Sequence, residues 1–409
     1  MNDAHRLTHL ASRMAHIEAF EVMEIQTLAR EVEASGRDVI HLEIGEPDFR
    51  TPQPVVDAAK RALDEQPMFY TSALGMAPLR EAISRFYRER YEVDVPASRI
   101  VVTAGSSAAL LLAFGVLLDE GDEVLLTDPS YPCDRHFVRA LGGVPKLIPV
   151  GPESRYQLDA EIARKHWSAR TRVVNVATPS NPTGTMLTPD EIDGLANLAR
   201  EKGAALVVDE IYHGLVYEEP TSASAVGSPS SRGGRPRAHS AAAAGEDVFV
   251  VNSFSKYFQM TGWRLGWLVA PPQYVREVEK LAQNLFISPP TLSQHAALAC
   301  FTPETIAIVE ARRRELDERR RFLIPALESL GFRVPVVPQG AFYIYADSSA
   351  LAPDSFTLAR RILTEACVAM TPGKDFGHHE PEKHIRIAYT QPVARLEEAV
   401  ARIGKLLGK

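Results

Sequence analysis

The tetrad Ser253-Phe254-Ser255-Lys256 puts a primary amine beside two hydroxyls, and Arg264 follows eight residues on, within Thr261-Gly262-Trp263-Arg264-Leu265-Gly266. Hydroxyls and a guanidinium can bind a phosphate while the amine attacks an aldehyde. Alone, the tetrad reads as well as a solvated turn. Four other segments carry matching chemistry. Asp209-Glu210-Ile211-Tyr212 places an acid directly after the apolar run Ala205–Val208. Pro179-Ser180-Asn181-Pro182-Thr183-Gly184 fixes Asn181 between two prolines and a glycine. Gly105-Ser106-Ser107 stands between a strand-like run and a helix-like run, where free backbone N–H groups favour an anion. Tyr131, in Asp128-Pro129-Ser130-Tyr131-Pro132, could lie flat on an aromatic ring. Each has a plain alternative: Asn181 as a turn former, Asp209 as a helix cap, Tyr131 as core. Together they put a phosphate cradle, an acid, a ring platform and a lysine at one end of one sheet.

The elements that would build such a sheet are legible. Ile100–Thr103, Glu123–Thr127, Lys146–Val150, Arg172–Val176, Ala205–Val208, Val248–Val251 and Leu265–Val269 read as buried strands. Helical patterns separate several of them. In Pro189–Lys202, Thr188 is the expected N-cap, Pro189 opens the helix and Gly203 ends it. This alternation predicts an α/β fold, a large domain with a mostly parallel doubly wound sheet. After Pro289 the pattern changes. A long charged helix over 303–330, kinked at Pro325, and strands at Ala341–Tyr345 and His384–Tyr389 predict a smaller α+β domain. Residues 1–50 are expected to form an N-terminal arm and part of that smaller domain, 51–289 the large domain and 290–409 the rest. From Pro220 to Gly245, 20 of 26 residues are Ala, Gly, Pro or Ser, which predicts a flexible surface insertion within the large domain.

Composition excludes several classes. The chain has 409 residues, 45% apolar and 24% charged, an ordinary globular balance without disorder or repeats. Its net charge of −7 lacks the basic surplus of a nucleic-acid binder. The longest apolar run, Ala108–Leu118, is too short to cross a bilayer, and the first residues have no apolar leader, so a cytoplasmic location is expected. Cys133, Cys300 and Cys367 are isolated and suggest neither disulfides nor a zinc site.

SNPTG, DEIY, SxSK and TGWRLG, in this order, resemble the class I/II pyridoxal-phosphate aminotransferases of fold type I, an aspartate aminotransferase-like family. The resemblance runs from Gly45, in Ile44-Gly45-Glu46-Pro47-Asp48, to Arg386 in His384–Tyr389. It implies the cofactor pyridoxal 5'-phosphate, with Lys256 as the lysine bonded to it and the proton carrier. Asp209 would pair with the ring nitrogen, and a protonated ring is the better electron sink. Asn181 and Tyr212 would donate to the ring oxygen, and Tyr131 would stack on the ring. Gly105, Ser106 and Ser107 would supply the backbone of the phosphate loop, and Ser253, Ser255 and Arg264 its side-chain ligands. Arg386 would clamp the substrate α-carboxylate, helped by Asn181 and by the room left at Gly45. Tyr70, ahead of Leu74-Gly75, would reach the phosphate of a neighbouring subunit, which implies a homodimer.

The implied reaction moves an amino group from an L-amino acid to a 2-oxo acid at one site, with ping-pong kinetics. Gln283 stands about where some acid-specific relatives carry a second arginine, so neutral or broad donor specificity is expected, with 2-oxoglutarate or pyruvate as acceptor. A lyase reaction such as β-elimination on the same fold is the alternative. A cofactor-binding transcription regulator is disfavoured, because the Gly45 segment leaves no room ahead of it for a DNA-binding domain. His378, His379 and His384 lack metal-ligand spacing, so no metal is expected.

Overall fold

The computed structural model describes residues 10–19, 21–217 and 239–409. Its strands are β1 Ile40–His41, β2 Ile100–Thr103, β3 Glu123–Asp128, β4 Val144–Pro149, β5 Thr171–Ala177, β6 Ala205–Asp209, β7 Phe249–Ser253, β8 Gly266–Val269, β9 Tyr343–Asp347, β10 Val368–Ala369, β11 Thr371–Pro372 and β12 His384–Ala388. Seven of them form one sheet in the order β2-β8-β7-β6-β5-β3-β4. Only β8 runs antiparallel to its neighbours β2 and β7; the pairs from β7 through β4 are parallel.

Alternate residues of these strands enter two different cores. Val173, Val207, Val251 and Leu268 pack with the helix Ser106–Leu117 on one face. Val174, Val208, Val250 and Val269 pack on the other face in the core that takes Ile192 and Leu195 of the helix Pro189–Lys202. Both faces are therefore covered, and the strands read as unbroken apolar runs for that reason. The helix Pro189–Lys202 has the expected ends: Thr188 and Glu191 form a reciprocal capping box, and Gly203 closes it at φ 63°.

A second, three-stranded antiparallel sheet has the order β11-β12-β9, and β1 pairs in parallel with β10. Residues near the start of the chain thus join the C-terminal part. The long charged helix spans Pro303–Ser329 and continues through Pro325. Buried Leu323 and Leu327 flank the proline and hold the helix to the core across the lost hydrogen bond.

The insertion over Pro220–Gly245 is corrected at its end, while residues 218–238 lie outside the described residues. Ser240, Ala241 and Ala242 are buried, not a surface tether. Ser240 Oγ and Ala241 N donate to the buried Glu210 carboxylate at 3.0 and 2.6 Å. A carboxyl group out of water needs such partners, so this stretch folds inward despite its Ala/Ser composition.

Candidate active site

In a parallel sheet all C-terminal strand ends lie at one edge, and ligands bind there. The ends of β2, β3, β5, β6 and β7 deliver Gly105, Tyr131, Asn181, Asp209 and Lys256 to that edge, and β8 starts there just after Arg264.

Gly105 adopts φ 84° and precedes the helix Ser106–Leu117. A Cβ at Gly105 would come within 2.5 Å of Arg264 Nη2. One at Gly266 would come within 2.8–3.0 Å of the Asn252 carbonyl and the Gly105–Ser106 backbone. The Gly266 contacts are with backbone and the φ of Gly105 is left-handed, so both positions favour glycine where the loop, the helix N-terminus and Arg264 meet. Ser253 Oγ donates to Ser255 Oγ at 3.0 Å and accepts from Ser255 N at 3.0 Å. These hydroxyls, the free N–H groups of Ser106 and Ser107 and the Arg264 guanidinium converge as an anion cradle.

Asp209 ends β6 with its side chain buried. Oδ1 accepts from Ile211 N at 2.9 Å, so Asp209 does brace the following turn, and Oδ2 bonds to none of the described residues. Burial raises its carboxyl to about 6, against the opposing pull of the Ile211 N–H and the Lys256 charge. Lys256 Nζ donates to the Gly45 carbonyl at 2.6 Å and lies 5.9 Å from the Tyr212 ring centre. Burial lowers its amine to about 8, so about a tenth is neutral at pH 7, far more than for a free lysine. A neutral amine is the form that attacks a carbonyl.

Asn181 is fixed by its loop: Ser180 N donates to Thr185 O at 2.9 Å, and Gly184 N to Ser180 O at 2.8 Å. Its Oδ1 accepts from Arg386 Nη1 at 2.9 Å. Arg386 Nη2 donates to the Glu43 carbonyl at 2.7 Å and to Thr371 Oγ1 at 3.3 Å. The guanidinium carbon lies 4.4 Å from the Tyr343 ring centre and 4.8 Å from that of Phe376. Tyr212 donates to or accepts from Tyr343 through hydroxyls 2.9 Å apart. The chain segment 43–45 thus offers one carbonyl to Arg386 and another to Lys256.

Of the residues singled out above, Tyr70 is not in this cluster. It is 79% exposed, beside the exposed Phe69. Gln283 is exposed on the helix Val275–Leu285. Sequence reasoning missed Tyr343, Phe376, Thr371 and Glu43. Tyr343 stood only as part of a strand.

Pyridoxal phosphate fits these residues. Its phosphate matches the cradle that the two glycines keep open. Its basic ring nitrogen matches the unpartnered Oδ2 of a buried Asp209, and its aldehyde matches the Lys256 amine.

The model of the family described as aminotransferase class I and II matches residues 37–403. A valine–pyruvate aminotransferase of Mycobacterium tuberculosis is 37% identical, over 98% of this chain and 99% of its own length. A (5-formylfuran-3-yl)methyl phosphate transaminase of Methanocaldococcus jannaschii is 36% identical, over 98% of this chain and all of its own. Among solved structures, an aspartate aminotransferase from Thermus thermophilus with maleate superposes with a TM-score of 0.88 at 33% identity, over 98% of this chain and all of its own. These relatives are named for amino-group transfer, which does not favour the lyase alternative. The chain belongs to the class I and II aminotransferases, enzymes of fold type I that use pyridoxal phosphate.

Proposed function

We propose that this enzyme takes its amino group from L-amino acids with neutral or varied side chains and passes it to a 2-oxo acid such as 2-oxoglutarate or pyruvate. The observation that carries this reading is the guanidinium clamp at Arg386. Arg386 is held on three protein acceptors between two aromatic rings, while Gln283, near where a second clamp is expected, is exposed. The relatives named for valine, for aspartate and for a furan phosphate ester span several substrate types.

When bound, the cofactor supplies an aldehyde for the substrate amine and a ring that withdraws electrons from its Cα. The protein's own groups do the rest. Arg386 takes the α-carboxylate of donor and acceptor alike through its planar fork. Asp209 Oδ2 holds the proton on the ring nitrogen. Lys256 Nζ, in its neutral form, takes the Cα proton as general base, with the Gly45 carbonyl aligning it. Asn181 would serve both halves, accepting from Arg386 at Oδ1 and donating its amide N–H to the ring oxygen. One site for both substrates means ping-pong kinetics.

The reading extends to assembly. Tyr70 belongs to the phosphate cradle of a second copy in a homodimer, and the exposed apolar side chains Phe69, Leu285 and Ile287 are the kind that such an interface buries. Residues 51–289 act as the cofactor domain, and 1–50 with 290–409 as the smaller one; the β1–β10 pairing supports that division. No helix among the described residues is long and apolar enough to cross a membrane, which agrees with a cytoplasmic enzyme. A panel of single amino acids against 2-oxoglutarate and pyruvate tests the specificity. Neutral donors should match or exceed aspartate and glutamate in kcat/KM. A preference of a hundredfold for aspartate would contradict it.

A further inference from the structure

The side chain of Tyr343 touches both halves of the site. It is 1% exposed at the start of β9. Its hydroxyl is 2.9 Å from that of Tyr212, and the two rings meet edge to face at 5.7 Å. Its ring face lies 4.4 Å from the Arg386 guanidinium carbon. A Cβ at Gly45 would stand 2.6 Å from its hydroxyl oxygen, so the hydroxyl rests against the segment that receives Lys256 and Arg386. The register explains how. Arg386 pairs with Tyr345, so Tyr343, two residues along β9, lies diagonally on the same face of the small sheet.

Each contact answers a need. Arg386 Nε is buried with no partner among the described residues, while Nη1 and Nη2 carry three hydrogen bonds. An aromatic face under the cation fixes its height and is worth most where water is excluded. Two buried hydroxyls share one proton between them and leave the other proton free. A hydroxyl that accepts a hydrogen bond becomes a better donor itself.

We propose that Tyr343 is a positioning residue: its hydroxyl donates to Tyr212, which frees the Tyr212 proton for the cofactor's ring oxygen, and its ring sets Arg386 for the substrate carboxylate. This rests on the reading of Tyr212 and Arg386 given above. Substrate carboxylate and cofactor oxygen are then gauged from one side chain. The titratable and charged groups acting on the tyrosine pair are Arg386 on β12 and Tyr131 after β3, with Lys256 Nζ 5.9 Å from the Tyr212 ring centre. Burial pushes both tyrosine hydroxyls up, so both stay protonated and able to donate at working pH.

Two substitutions separate the two contacts. Donation from Tyr212 draws charge from the ring oxygen and disfavours a proton on the neighbouring lysine–cofactor nitrogen. Tyr343→Phe keeps the ring and removes the hydroxyl. The pH midpoint of the holoenzyme's visible absorbance band should then rise, by up to about 0.3 pH unit, since only the cooperative strengthening is lost, about 10–30% of a hydrogen bond worth about 0.5–1.5 kcal/mol. Michaelis constants should change little. Tyr343→Leu removes the platform and should raise KM for amino acid and oxo acid together, by about 3- to 30-fold. A residue that served packing alone would lower the melting temperature without moving the midpoint. That result for Tyr343→Phe, or an unchanged pair of KM values in a folded Tyr343→Leu, would overturn the proposal. The wild-type band, measured before any substitution, tests the lysine–cofactor reading separately.

Discussion

On the proposed reading, the cofactor half and the substrate half of this site are built by different means. The cofactor half uses strand ends of one parallel sheet. Gly105, Ser106, Ser107, Ser253 and Ser255 contribute backbone and short side chains, and their positions follow from the sheet itself. The substrate half centres on one long side chain. Arg386 is steadied by Asn181, by the Glu43 carbonyl, by Thr371 and by two rings, drawn from four separate parts of the chain. An invariant ligand can be met by rigid backbone. A group that must accept one substrate, release its product and accept another suits a side chain held by many weak partners.

That contrast predicts different kinetic signatures. Lys256→Ala should do the most damage, removing the visible band and lowering turnover by on the order of 10²–10⁴-fold or more. A borohydride-reducible yellow protein would mean that another lysine does the work. Asp209→Ala should leave some bound cofactor but cut kcat by on the order of 10²–10³-fold, since a buried electrostatic partner of the reacting system is lost. Wild-type turnover would break the pairing of Asp209 with the ring. On the substrate side, Arg386→Lys should act through KM. Both substrates should bind about 10- to 100-fold more weakly, the cost of a charge-assisted hydrogen bond. Loss of only one KM would mean two carboxylate sites instead of one.

The smallest effect concerns the anchor of the substrate half. His41 lies between the Glu43 carboxylate at 2.8 Å and that of Glu33 at 3.0 Å. Chiefly through its hydrogen bond with Glu43, the imidazole is raised from the usual 6.5 to about 9. A raised folded-state value means stabilisation that is complete below about pH 6.5 and lost as pH rises through about 9. Thermal melts across that range should therefore show a decline in wild type that is weaker in His41→Asn. Equal slopes would detach His41 from the anchoring of segment 43–45.

The two halves also differed in how far the sequence disclosed them. Lys256, Asp209 and Asn181 sit in contiguous motifs at strand ends, where a buried run followed by polar residues marks the edge of the sheet. Tyr343 gave no such mark. All five residues of β9 are buried, so alternation could not say which side faces the site, and its partner Tyr212 is 131 residues away. Ser240 misled for a different reason. A run of Ala, Gly, Pro and Ser reads as a tether, and the buried Glu210 carboxylate that draws it inward is visible only in three dimensions.

The central claim is amino-group transfer through one site, and a half-reaction tests it. The cofactor-loaded enzyme is mixed with a single amino acid, with no oxo acid present, and absorbance from about 300 to 500 nm is followed while products are counted. The account predicts complete conversion of the visible band with release of one 2-oxo acid per site, reversed by adding a second oxo acid. A persistent band with pyruvate, ammonia or carbon dioxide accumulating over many turnovers would contradict it.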